Sequence, residues 1–205
     1  MAGLKPNDFY WVIEGKLAVS ECIGGGGLTA RKIRREEEIQ WLKSQGINSI
    51  FSLLESDFNL TNYQEVGFRT YHFPLGQNTQ KESIELIFEA IKEALSDKDI
   101  KLLIHREYLD EEVPGILAGY LIYSKLLDDP ILARTILERI LGKPLSPQAI
   151  SFIPNSYPSD QISIGACNGD LTLDEILKNT PNSLKEFLNI KNTEYEGLEI
   201  LSSTN

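Results

Sequence analysis

Residues 102–123 read LLIHREYLDEEVPGILAGYLIY: a short apolar run, a polar loop and then a helical pattern. Ile104 and His105 close the apolar run, which has the length and composition of a buried strand. Val113, Leu117, Tyr120 and Leu121 then recur at helical spacing. A loop that pours into a helix N-terminus is an anion-binding layout, because free backbone N–H groups and the helix dipole draw negative charge. Yet the loop carries Glu107, Asp110, Glu111 and Glu112, and no glycine before Gly115. The backbone pattern suits an anion while the side chains repel one.

Working outward, strands and helices alternate. Tyr10–Ile13 and residues 16–20 read as two short strands around Glu14-Gly15, a hairpin at a sheet edge. An amphipathic helix over 37–45, with Ile39 and Leu42 inward, stops at Gly46. Residues 48–54 form a strand, 58–65 a brief helix, and 68–73 another strand ended by Pro74. The stripe Ile84, Ile87, Phe88, Ile91 and Leu95 predicts a helix over 80–96. The run at 100–104 suits the middle of a parallel sheet. Helices over 114–127 and Pro130–Leu141 each open with proline in the first turn. This alternation predicts an α/β fold, a mainly parallel central sheet flanked by helices. Sites in such folds lie beyond the carboxyl ends of the strands, which brings 73–78 and 105–112 to one edge.

After Ile150 the composition shifts to IPNSYPSDQISIGACNGD, a linker or loop, with short helices expected over 172–178 and 183–188. The expected organisation is a domain over 1–150 and a short C-terminal extension over 151–205.

The chain has 205 residues, 41% of them hydrophobic, and a net charge of −10. That charge argues against nucleic acid or an anionic membrane as partner, since both call for a cationic surface. No run approaches the ~20 apolar residues of a membrane span, and no signal peptide is visible, so a soluble, cytoplasmic protein is expected. Two cysteines, Cys22 and Cys167, make neither a disulfide framework nor a zinc site. Arg31, Lys32, Arg34 and Arg35 follow the tetrad Gly24–Gly27, but no phosphate-loop pattern is complete there. With Glu36, Glu37 and Glu38 next in line, these bases read as the start of a solvated helix. His72 and the aromatics Tyr10, Trp11 and Trp41 read as packing residues.

In order and spacing, WVIEGKLAVS, EIQWLKSQGINSIFSLLE, FRTYHFPL, KLLIH, GILAGYLIY and KPLSPQA resemble the dual-specificity branch of the protein tyrosine phosphatases, from about Phe9 to Ala149. The resemblance implies that family's fold. It also implies a loop reading His-Cys, five residues, Arg, then Ser/Thr and Gly. The cysteine thiolate attacks phosphorus, loop N–H groups and the arginine fork bind the phosphoryl oxygens, and an aspartate from a neighbouring loop protonates the leaving oxygen.

Aligned without a gap, this sequence keeps His105 but places Arg106 at the nucleophile position and Glu112 at the phosphate-binding arginine position. Val113 and Pro114 take the Ser/Thr and Gly positions, and HFPLGQNTQ offers Gln77 or Asn78 where the family has aspartate. Neither cysteine lies near the loop in sequence or is expected to replace the thiolate. A carboxylate ~5 Å from a phosphate charge repels it by about 3 kcal/mol at an effective dielectric of 20, so phosphate is not an expected ligand. Arg106, at the loop's start, is expected to be free to swing outward.

His105 is expected to support the loop by hydrogen bonding. Glu111 or Glu112 is expected to cap the following helix, a tethered carboxylate where a phosphate would otherwise lie. The leading expectation is a pseudophosphatase-like protein-binding or regulatory module. It has no catalytic residue, with Arg106, Glu112 and Gln77 as degenerate positions, and its remodelled binding loop is His105, Arg106, Glu107, Tyr108, Asp110, Glu111 and Glu112. Its expected partner is a protein, and it has no metal or cofactor. The alternatives are an enzyme using carboxylates around His105 as acid and base, or a divergent active phosphatase with its nucleophile elsewhere.

Overall fold

A computed structural model describes residues 3–26, 31–57, 59–76, 81–109 and 112–154. The residues LLIHR form strand β5 (Leu102–Arg106), third in a five-stranded sheet. Together with β1 (Tyr10–Ile13), β2 (Leu17–Glu21), β3 (Ser49–Ser52) and β4 (Arg69–His72), it gives the order β1-β2-β5-β3-β4. Only β1 runs antiparallel, as the edge half of a hairpin with β2; the other pairings are parallel. The three middle strands are buried nearly throughout, as strands inside a parallel sheet covered on both faces are, although Ser20, Ser49, Ser52 and His105 are among their buried residues.

Side-chain alternation divides the sheet into two faces. Ala18, Leu103 and Ile50 lie side by side in register, and they pack with Ile39 and Leu42 of α1 (Lys32–Ser44) and Tyr63 of α2 (Leu60–Glu65). Val19, Ile104 and Phe51 therefore point the other way, where Phe51 stacks on Tyr71 and Phe73. Helix α4 (Val113–Tyr123) is buried along ten consecutive residues, and α3 (Lys81–Ser96), α5 (Pro130–Leu141) and α6 (Pro147–Ser151) gather around it.

Glycine sets how closely these helices approach. A Cβ on Gly115 would overlap the carbonyl of Ala149 in α6. One turn on, a Cβ on Gly119 would lie 2.6 Å from the Phe88 ring of α3 and 2.7 Å from the Phe152 carbonyl.

Element boundaries differ from the expected ones for local reasons. Helix α1 starts at Lys32 because opposite charges four residues apart, Lys32–Glu36 and Arg34–Glu38, make the basic run helical. Helix α4 stops at Tyr123 because Lys125 takes a left-handed conformation (φ 60°). Helix α6 was not expected; the Ser146 hydroxyl caps it by accepting from the Ala149 N–H at 3.1 Å, and Pro147 follows. It runs across position 150, and Ile153 beyond it is buried. The helices expected over 172–178 and 183–188 lie outside the described residues. No described helix is long and apolar enough to cross a membrane.

Candidate functional site

The site grows from the carboxyl end of β5. Parallel register sets His105 between Ser20 of β2 and Ser52 of β3, and pairs Arg106 with Glu21. Successive residues of a strand face opposite ways, so His105 and Arg106 serve different sides of the sheet.

His105 is fully buried, edge-on to the Tyr63 ring at 5.7 Å between centroids. Among the described residues neither ring nitrogen has a hydrogen-bond partner, which differs from the expected loop-supporting role. Burial, with a smaller contribution from the charge of His72, pushes its pKa down to about 3, so the imidazole is neutral at physiological pH. His72 itself is part-buried, with Nε2 2.9 Å from the Leu54 carbonyl oxygen.

Arg106 does not swing out. Its Nη2 donates to the Leu75 carbonyl at 3.1 Å, and its Nη1 donates to Oε2 of Glu112. Glu112 is buried at 5% exposure, and its other oxygen, Oε1, accepts from Nε2 of Gln148 in α6 at 3.1 Å. The two positions six apart that flank the acidic loop are therefore joined by an ion pair.

Of the two expected caps, Glu111 lies outside the described residues, and Glu112 occupies the N-cap position of α4 but makes no side-chain capping bond. Its backbone is helical (φ −105°, ψ −42°), whereas a capping side chain needs an extended backbone to fold back onto the first turn. The carboxylate reaches Arg106 and Gln148 instead.

The loop between is fastened at Leu109, which is buried and whose carbonyl accepts from Lys143 Nζ. Tyr108 is 56% exposed and Glu107 is exposed, the latter lying against Gly26. Gln77, Asp110 and Glu111 lie outside the described residues.

Cys22, distant in sequence, follows directly after β2 at the same sheet edge. Burial and then the Glu107 charge push its thiol up to about 11, with Glu38 adding to the rise and Tyr63 and Arg34 opposing it. It is a protonated thiol at neutral pH. The glycine loop offers no free anion cradle among the described residues. The Gly24 N–H donates to Glu38 at 2.6 Å, Arg34 donates to the same carboxylate at 2.6 Å, and Arg35 donates to Asn59 at 2.7 Å and Asn62 at 3.3 Å. No described group of three His, Cys, Asp or Glu is gathered to hold a metal.

Gln148 was not foreseen. Nothing in SPQA marks it, because its role depends on the approach of α6 to α4 that Gly115 permits.

A mainly parallel sheet whose central strand leads through a loop into a wholly buried helix is the architecture of the protein tyrosine phosphatases, and this chain has that fold in its dual-specificity form. Among similar solved structures is kinase associated phosphatase with its catalytic-site cysteine changed to serine. It shows 20% identity and a TM-score of 0.60 over 73% of this chain and 93% of that one. TpbA from P. aeruginosa in complex with pTyr shows 12% identity and a TM-score of 0.56, over 73% of this chain and 84% of that one. Human DUSP28 shows 14% identity and a TM-score of 0.53, over 73% of this chain and 92% of that one. At these identities the likeness is one of fold. No family model and no curated protein matches the sequence.

Proposed function

We propose that this chain is a pseudophosphatase, a non-catalytic phosphatase-fold module that works by binding a protein partner. The observation that carries the reading is the Arg106–Glu112 pair. The phosphatase resemblance puts a nucleophilic thiolate at the first of these positions and a phosphate-binding guanidinium at the second. Here the charges are reversed, and each satisfies the other. A phosphate entering the loop meets a buried carboxylate where it needs a cation, at a cost of about 3 kcal/mol for a ~5 Å separation.

Cys22 is the one described thiol near the sheet edge, and its high pKa leaves almost no thiolate at neutral pH. The carboxylate-enzyme reading finds less support: both oxygens of Glu112 are taken up as acceptors, and His105 has a pKa of about 3 and, among the described residues, no partner to relay a proton. Among the described residues of the loop, the exposed Glu107 and Tyr108 are the surface offered to a partner. We place the module in the cytoplasm, where a free thiol such as Cys22 stays reduced.

The test is turnover of p-nitrophenyl phosphate by the wild type and by Cys22→Ser, beside a triple variant Arg106→Cys, Glu112→Arg, Gln77→Asp. The wild type is expected to be indistinguishable from buffer. Ordinary phosphatase turnover by the wild type that disappears in Cys22→Ser overturns the proposal.

A further inference from the structure

We infer that Arg106 and Gln148 form a carboxylate-binding site, which the chain fills with its own Glu112. The inference deepens the non-catalytic reading of this loop and concerns what these two donors accept.

Three features separate a site from an ordinary ion pair. The first is that the donors approach from different elements and divide the carboxylate between them. Arg106 Nη1, at the end of β5, takes Oε2, and Gln148 Nε2, in α6, takes Oε1 at 3.1 Å. A planar anion with two oxygens is the species such a donor pair matches.

The second is that the arginine is held from behind. Its Nη2 donates to the Leu75 carbonyl at 3.1 Å, a bond that does not involve Glu112 and keeps the guanidinium in place without it. The third is that the bound carboxylate is nearly removed from solvent, at 6% side-chain exposure, so its contacts are made in a low-dielectric setting. The neighbouring segments are fixed as well, Leu109 by Lys143 on its carbonyl and α6 by its close approach to Gly115.

Because Glu112 is tethered, it competes with any free anion at an effective concentration on the order of millimolar or above. The wild type is therefore silent to added carboxylates. Removing the side chain leaves a gap of carboxylate size faced by two donors. One cationic and one neutral donor match a singly charged, planar carboxylate better than a phosphate dianion.

The test is chemical rescue of Glu112→Ala. Thermal unfolding of the wild type, Glu112→Ala and Arg106→Met/Glu112→Ala is followed in sodium formate, acetate, phosphate or chloride at matched ionic strength. Formate and acetate are expected to raise the Tm of Glu112→Ala over chloride, by about 4 °C at ten times the dissociation constant. The wild type and the double variant are expected not to respond. If Glu112→Ala does not fold in chloride, its refolded yield in formate against chloride gives the same reading.

Equal responses to formate and chloride overturn the inference, as does a formate response that survives loss of Arg106. Preference for phosphate overturns the carboxylate assignment. Since binding is read rather than turnover, this result stands apart from the phosphatase assay.

Discussion

Replacing Arg106 with methionine keeps most of the side chain's volume and takes the guanidinium from a carboxylate that has almost no contact with water. Glu112 has 6% side-chain exposure and Arg106 19%, so the pair is buried on one side and part-buried on the other. Removing one partner of a fully buried pair costs about 3–5 kcal/mol, mostly for the charge left behind. Two features reduce that here. The Gln148 amide still donates to Glu112, and the part-exposed Arg106 position lets some water reach the carboxylate. The expected loss is about 2–3 kcal/mol, or about 4–12 °C in Tm for a domain near this size.

Replacing Glu112 with leucine strands the less buried partner, which keeps the Leu75 carbonyl, and should cost about 1–2 kcal/mol. Replacing both leaves neither charge stranded, and the double variant should lie within about 1 kcal/mol of the wild type. Urea unfolding followed by far-UV circular dichroism, with a common slope for all four proteins, measures the cycle. A loss under about 0.5 kcal/mol for Arg106→Met, or a double variant equal to the sum of the singles, would refute the reasoning.

Two further outcomes follow from buried groups elsewhere. The folded-state pKa of His105, about 3, lies below its unfolded value near 6.5, so between those values the unfolded chain binds the extra proton. The stability due to neutral His105 is complete above pH 6.5 and falls by about 1.4 kcal/mol per pH unit below it, about 2 kcal/mol by pH 5. His105→Leu should flatten that part of the urea-measured profile, and an unchanged slope would show that His105 is not its source. Gly115→Ala should lose at least about 2 kcal/mol in the same assay, because the new Cβ meets the backbone of Ala149 and not a movable side chain; a loss near zero would mean α6 can shift aside freely.

The strand–helix alternation was legible because short apolar segments such as Leu102–Ile104 alternate with helical patterns such as the apolar stripe of α3. The order of elements and the central place of β5 followed from that pattern. The site was legible as a list of positions and not as an arrangement. The phosphatase resemblance marks Arg106 and Glu112 as the two chemically decisive places, but says nothing of the five residues between them closing on an ion pair.

A carboxylate before a helix reads as a cap, and only the helical φ and ψ of Glu112 show that this one cannot act so. The proximity of Cys22 to the loop depends on parallel pairing of β2 with β5 across more than eighty residues of sequence. Gln148 depends on a helix contact set by a glycine more than thirty residues earlier. Local pattern carries none of that.

The reciprocal pairing of Arg106 with Glu112 also bears on how the sequence can change over time. A thiol at 106 alone leaves the carboxylate stranded, and an arginine at 112 alone sets two guanidinium groups face to face. Either first step lowers fitness through stability, even where the two together would be tolerated. The pair thus behaves as an epistatic ratchet: the two anchors either stay or change together.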